Sequence, residues 1–201
     1  MTSRGRRHAG AMLVTGLLAA GLPGCAPIVL GRNRADPPVP PERRAEGVSL
    51  QDEAVERIAL ELIEERFPKD VHVNVSSFNR IALLTGEVPG QNERDAIAAL
   101  VQSIEGVRQV FNELVVAPVS TLTARAFDRH LTARVKTRFL DAGRFRAVHV
   151  KVLTEAGIVY LMGLVTPQEA QDAADLAART PDVKSVARVF ELLDASAPPG
   201  K

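Results

Sequence analysis

Apolar and polar positions alternate in the same way in two separated parts of the chain. Three blocks return in the same order: 71–75 (Val-His-Val-Asn-Val) as 148–152, 81–88 (Ile-Ala-Leu-Leu-Thr-Gly-Glu-Val) as 158–165, and 106–110 as 182–186. An apolar residue at every second position predicts a strand with one buried face. Because several blocks recur together, we interpret residues 50–193 as an internal repeat.

Each copy of the repeat predicts the order helix, strand, strand, helix, strand. In the first copy, apolar residues recur at helical spacing behind Ser49, which we expect to cap the helix; they are Leu50, Ala54, Val55, Ile58, Leu62 and Ile63. The turns between the first two strands are predicted at Asn79-Arg80 and Ala156-Gly157. The remaining predictions are second helices at 91–103 and 167–179, and last strands at 107–116 and 183–193.

These elements predict an α+β fold built from two tandem modules. The middle strand, second helix and last strand form a right-handed crossover, with the first strand antiparallel beside them. Each module is then a three-stranded mixed sheet with two helices on one face, and Gly86 and Gly163 mark a bulge or close packing. About 65 residues fold only marginally alone, so we expect the modules to pack together. Residues 122–125 are predicted to connect them.

The N-terminus has the order of a secretory signal: three arginines, an apolar core at 11–22, then small residues. Leu22-Pro23-Gly24-Cys25 resembles the lipobox of bacterial lipoproteins, which implies a diacylglycerol and an N-acyl chain (typically palmitate) on Cys25. Ala26, not Asp, follows the cysteine, which by the usual rule implies the outer membrane. We therefore predict a signal peptide at 1–24, a lipidated Pro-rich tether at 25–48, modules at 49–117 and 124–193, and a disordered tail at 194–201.

The repeated blocks resemble the BON domain. The matching features are the Val-x-Val strand, Leu-x-Gly-x-Val at 84–88 and 161–165, and Gly-Val-x-x-Val at 106–110, where Asp182 replaces the glycine in the second copy. The resemblance implies support of envelope integrity, and binding of anionic phospholipid by the second module. Where the family's lipid-binding helix carries an aromatic residue, this chain has His130.

The first helices of the two modules carry opposite charge. Residues 50–66 sum to −4, whereas residues 127–146 sum to +4, and anionic membrane surfaces attract basic residues. We expect Leu131, Val135, Phe139 and Ala142 to be buried and Leu140 to point outward among cations. The expected lipid-binding residues are Arg129, His130, Arg134, Lys136, Thr137, Leu140 and Arg144.

Several other functions find little support in the sequence. Removal of the signal leaves 22 basic against 24 acidic residues, a net charge of −2, which is unlike a nucleic-acid binder. No convergent reactive groups predict catalysis, a cofactor or a metal; His72 and His149 recur at equivalent positions that we expect to face solvent. We expect the first module to be free to bind an envelope protein partner. The alternative function is a periplasmic chaperone or assembly factor for outer-membrane proteins, which an exposed apolar groove between the modules would favour.

Overall fold

The computed structural model describes residues 42–67 and 71–193. The signal peptide, Cys25 and most of the tether fall outside this range, as does the predicted tail. The first module contains α1 (Val48–Arg66), β1 (His72–Phe78), β2 (Ile81–Val88), α2 (Gln91–Gln102) and β3 (Gln109–Val116). The second contains α3 (Leu122–Ala142), a 3₁₀ turn (Ala147–His149), β4 (Val150–Glu155), β5 (Ile158–Val165), α4 (Pro167–Ala178) and β6 (Ser185–Leu192).

Both modules have the predicted mixed sheet. The strand orders are β1-β2-β3 and β4-β5-β6. The first pair in each sheet is antiparallel and the second is parallel. In the first module, α1 contributes Val55 and Ala59 and α2 contributes Ile97 and Val101 to one core against the sheet. Both helices therefore cover the same face, which confirms the α+β prediction.

A buried aspartate holds the first turn of each sheet. Asn79 and Arg80 both have positive φ, as do Ala156 and Gly157. The carboxylate of Asp52 accepts hydrogen bonds from the Asn79 and Arg80 amides at 2.7 and 2.8 Å. The equivalent Asp128 accepts from both amides of the second turn at 2.9 Å. The two predicted turns are confirmed, and each is tied to the first helix of its module.

The glycines in the middle strands mark close packing between strands. A Cβ on Gly86 would lie 2.0 Å from the His72 carbonyl oxygen, and one on Gly163 would lie 2.5 Å from the His149 carbonyl oxygen. Real Cβ atoms do not approach an oxygen so closely, so only glycine lets the neighbouring strand sit at these positions. Close packing, rather than a bulge, is therefore the reason for both glycines.

Three details of the first helices differ from prediction. Helix α1 begins at Val48 after Gly47, which has φ 79° and provides no side-chain cap, so Ser49 is not the cap. Residues 122–125 are the first turn of α3, capped by the Thr121 side chain, and the connection is therefore 117–121. Ala142 is exposed because α3 ends there, one residue before the left-handed Gly143.

The two modules pack sheet to sheet through an apolar cluster. Phe78, Ile81 and Leu83 of the first module contact Tyr160 and Met162 of the second, and all five are at most 6% exposed. Alternate residues of a strand face opposite sides, so β2 has one face against its own helices and the other against the second module. This explains why all eight residues of β2 are buried, and it confirms the expectation that the modules associate.

Candidate functional sites

The predicted lipid-binding residues lie along the surface of α3 and just beyond its end. Leu131, Val135 and Phe139 are buried against the sheet, as expected, and Leu140 on the opposite side is 71% exposed. The predicted residues placed on or next to α3 are Arg129, His130, Arg134, Lys136, Thr137, Leu140 and Arg144. All are exposed except Arg134, which is half-buried.

The cations around Leu140 differ in how they are partnered. Arg134 donates to the Asp182 carboxylate at 2.7 Å, and Arg144 lies 3.6 Å from Asp172. Within residues 42–67 and 71–193, neither Arg129 nor Lys136 has an acidic partner within 4 Å. These two therefore carry the uncompensated charge of the face, while Arg134 and Arg144 belong partly to contacts inside their own module.

A shallow cavity of about 370 Å³ opens beside this helix face. Its lining includes three predicted residues, His130, Arg134 and Thr137, together with Pro181 in the loop after α4. The Thr137 hydroxyl donates to the Ala133 carbonyl oxygen at 3.1 Å. The cavity combines hydrogen-bonding groups and positive charge with an apolar wall.

A second group of polar residues lies where the two sheets meet. On β1 and β2, the face that carries Phe78, Ile81 and Leu83 at one end carries His72, Thr85 and Glu87 at the other, since His72 pairs with Glu87 across the strands. Glu155, the last residue of β4, approaches them from the second module. A cavity of about 360 Å³ opens there; it is lined by residues of both modules, among them His72, Thr85, Arg125, Asp128, Arg129 and Glu155.

The donor atoms of His72, Glu87 and Glu155 all lie within 4.8 Å of one another. His72 Nε2 is 3.8 Å from Glu155 Oε1, and Asn74 Nδ2 donates to Glu155 Oε2 at 2.6 Å. Glu87 Oε2 accepts from the Ser120 amide at 3.2 Å and from its hydroxyl at 3.0 Å. Both acidic residues are more than nine-tenths buried, so two carboxylates lie close together with little exposed surface.

The shared burial changes the protonation of two of these groups. Burial, followed by the charges of Glu87 and Asp128, raises the pKa of Glu155 to about 7. Burial, followed by the charge of Arg125, lowers the pKa of His72 below its usual value. At neutral pH the imidazole is therefore neutral, and Glu155 takes up a proton readily.

The prediction that the two strand histidines face solvent is wrong. His72 faces the second module, and His149 is 6% exposed in the turn before β4; neither points freely into solvent. The alternation did place His72, Thr85 and Glu87 on the face opposite the helix-packed core. The alternation could not predict that the second module's sheet packs on that face. Glu155 is 83 residues from His72, so no local pattern connects the two.

The chain matches the BON domain model over residues 52–118 and 127–194. These matches cover more than half of the chain, and they agree with the two α+β modules described above. The chain therefore belongs to the BON family, as a protein with two BON domains.

The chain is similar to outer membrane lipoprotein DolP of Haemophilus influenzae. The two are 36% identical over 175 residues, which cover 86% of this chain and 91% of that protein. It is also 29% identical to the 21 kDa hemolysin of Actinobacillus pleuropneumoniae, over 79% of this chain and 83% of that one. Osmotically-inducible protein Y of Escherichia coli is 28% identical, over 70% and 72% respectively. The chain is a DolP-like envelope lipoprotein, in agreement with the predicted outer-membrane localisation.

None of the helices in the described ranges is both long and apolar enough to cross a membrane.

Proposed function

We propose that this lipoprotein binds anionic phospholipid through the outer face of α3, without catalysis, and so supports the integrity of the envelope. The observation that carries the proposal is Leu140, a large apolar side chain 71% exposed beside the unpaired charge of Lys136. An apolar tip next to a cation suits the boundary between headgroups and acyl chains, where both find a favourable environment. Anchoring through Cys25 would keep the module close to such a surface.

Charge and the adjacent cavity support the same surface. Each basic residue near an anionic membrane contributes about 1 kcal/mol of attraction, and Arg129 and Lys136 have no acid of the described chain to compete with the lipid. The cavity of about 370 Å³ beside this face is lined by His130, Arg134 and Arg138, which are the groups that would donate hydrogen bonds to a phosphate headgroup there.

Helix α1 supplies the contrast that limits binding to the second module. With the modules aligned on Asp52 and Asp128, the equivalent of Leu140 is Glu64 and the equivalent of Arg129 is Glu53. Both acids are exposed, so this helix would be repelled by the surface that attracts α3. The first module is thereby left for an envelope protein partner.

The test is cosedimentation of the soluble Cys25→Ser chain with phosphatidylglycerol vesicles, with phosphatidylcholine vesicles for comparison. Lys136→Glu changes the surface charge by two, so we expect it to weaken binding by roughly tenfold or more. Leu140→Glu should weaken it similarly, because it removes the apolar contact and adds repulsion.

Leu50→Glu is the matched control, since Leu50 on α1 is 69% exposed and should contribute nothing. Equal binding by the unsubstituted chain and both α3 variants would refute the proposal, as would equal binding to both lipids. The alternative of a chaperone for outer-membrane proteins needs an open apolar groove between the modules. In the described part of the chain that region is a packed cluster with a polar cavity at one end, which does not favour it.

A further inference from the structure

We propose that His72, Glu87 and Glu155 form a zinc site that joins the two BON modules. The site draws two ligands from the first module and one from the second, so a bound ion would act across the contact between the sheets. It makes no use of Leu140 or Lys136 on the outer face of α3; of the proposed lipid-binding residues, Arg129 alone also borders this cavity.

The donor set fits a zinc ion. Zn²⁺ is bound by imidazole nitrogen and carboxylate oxygen at about 2.0 to 2.2 Å, and sites with three protein ligands complete the shell with water. Tetrahedral ligands at that range stand roughly 3.4 Å apart. His72 Nε2 and Glu155 Oε1 are already 3.8 Å apart, and no pair among the three exceeds 4.8 Å. A bound ion would bring the donor atoms at most about 1.4 Å closer together than they lie in the structure.

A second observation points to a missing occupant. The Thr85 hydroxyl is fully buried, lines the same cavity and has no hydrogen-bond partner among residues 42–67 and 71–193. A buried polar atom without a partner is rare and costs free energy. Thr85 lies on the same strand face as Glu87, two residues away, so a water molecule held by the ion could give the hydroxyl its partner.

The surrounding groups also allow a cation. Facing the cavity are the acids Glu155 and Asp128 and the cations Arg125 and Arg129, and the buried Glu87 lies at its edge. Arg125 is held by the Ser120 hydroxyl and carbonyl oxygen at 3.2 and 2.8 Å. Asp128 is occupied by the β4–β5 turn. Glu87 and Glu155 each use Oε2 to accept hydrogen bonds from Ser120 and Asn74, respectively, and each keeps Oε1 for the ion.

The equivalent place at the other end of the contact serves as an internal comparison. When the repeats are aligned, Phe78 stands where the second module has Glu155, and Lys151 stands where the first has Asn74. There, the Arg44 guanidinium lies 4.5 Å from the Phe78 ring centre, and Lys151 is paired with Glu56. At that end of the contact, a cation and an aromatic ring occupy the positions equivalent to the metal ligands. Among the described residues the proposed site therefore occurs once.

The experiment is a calorimetric titration of ZnCl₂ into the metal-stripped, tag-free full chain. The Cys25→Ser background removes its single thiol. We expect one saturable zinc per chain and a higher melting temperature with zinc than without. His72→Ala, Glu87→Gln and Glu155→Gln should each weaken zinc binding by about tenfold or more. His130→Ala, which removes an exposed histidine of α3, is the matched control and should bind as the parent does.

Two further measurements keep folding separate from binding. Circular dichroism without metal identifies any variant that fails to fold; the near-isosteric Glu155→Gln then decides the outcome. Co²⁺ in place of zinc should give visible absorption typical of four ligands, and the absorption should disappear in the same variants. No saturable zinc binding, zinc binding by Glu155→Gln equal to the parent, or loss of zinc binding on His130→Ala but not on His72→Ala would each overturn the site.

Discussion

The two modules share one scaffold but differ on the surfaces that their scaffold leaves free. On the helix-covered side of the middle strand, Leu84 and Leu161 are equivalent and both fully buried. On the other side, Thr85 and Glu87 of the first module correspond to Met162 and Leu164 of the second. The side that makes the module's own core is therefore apolar in both copies. The side that meets the other module carries the apolar residues Ile81 and Leu83 near one end of β2 and the polar Thr85 and Glu87 near the other, whereas Met162 and Leu164 continue the apolar side of β5.

The first helices differ in the same way. Their buried faces use equivalent positions, from Asp52 and Asp128 onward, whereas the outer faces are acidic in α1 and basic in α3. Core positions are constrained by packing against the sheet. Outer positions are not constrained in this way and can differ in function between the copies. The charge difference between α1 and α3 therefore indicates which helix surface can contact an anionic membrane.

Truncation of the two equivalent leucines tests whether the cores are alike. Leu84→Ala and Leu161→Ala should each lower the free energy of unfolding by about 3 kcal/mol, because each leaves a cavity in a packed core. Urea denaturation, followed by far-UV circular dichroism and by the fluorescence of Tyr160, measures both. Tyr160 is the single tyrosine and lies in the contact between the modules, so its signal reports whether they separate.

Because the modules share that cluster, the two signals should change together in the parent and in both variants. A large difference in cost between the two substitutions, or a Tyr160 transition that precedes the loss of helix, would show that the cores are not equivalent.

The second helices of the modules begin differently, and the cap of α4 should make a contribution to stability that depends on pH. Helix α4 has a capping box in which Thr166 and Glu169 bond each other's backbone amides, whereas α2 begins after Gly90 with no side-chain cap. Glu169 also accepts two hydrogen bonds from Arg43 at 2.6 and 2.9 Å. Although burial opposes it, the bonds from Arg43 and Thr166 lower the pKa of Glu169 to about 2.

The pKa of Glu169 is lower in the folded protein than in the unfolded one. Such a carboxyl group stabilises the fold at pH values above its unfolded pKa near 4.5, and this contribution is lost as the pH falls towards 2. Glu169→Gln should therefore lower the free energy of unfolding by about 1 to 2 kcal/mol at pH 7, and by less at pH 3. Urea denaturation at both pH values measures this. Glu64→Gln, at an exposed position of α1, should change neither value; an equal loss at both pH values for Glu169→Gln would contradict the ionic origin.

The smallest expected effect concerns the turn before the last strand of each sheet. Gly106 and Asp182 occupy equivalent positions, and both have positive φ, at 93° and 74°. Asp182→Gly should relieve about 1 kcal/mol of backbone strain. It also removes the partly exposed pair with Arg134, which contributes less than about 1 kcal/mol, so we expect a small gain in the melting temperature. A marked loss of stability would show that the ion pair outweighs the backbone.

The substitution also removes an acid beside the proposed lipid surface and frees Arg134. Binding to phosphatidylglycerol vesicles should therefore increase slightly, which the same cosedimentation assay measures.

The sequence by itself determined each module and the sign of its first helix. Local patterns were enough to predict the strands and turns: the alternating valines at 71–75, the glycine at 86 and the paired turn residues. Because the same patterns recur in a second copy, most alternative folds were excluded. The helix ends were less well predicted. Ser49 was expected to cap α1, but the N-cap position is Gly47, which has a left-handed conformation. Backbone conformation, and not residue type alone, decides which residue begins a helix.

Only the tertiary structure decided what the second face of each sheet contacts. Alternation shows that His72, Thr85 and Glu87 share a face, but the partner of that face is the other module, and no local pattern specifies a contact between sheets. Glu155 reaches the same cavity through the packing of Phe78, Ile81 and Leu83 against Tyr160 and Met162. That packing depends on apolar burial between distant segments, which is non-directional and leaves no fixed spacing in the chain.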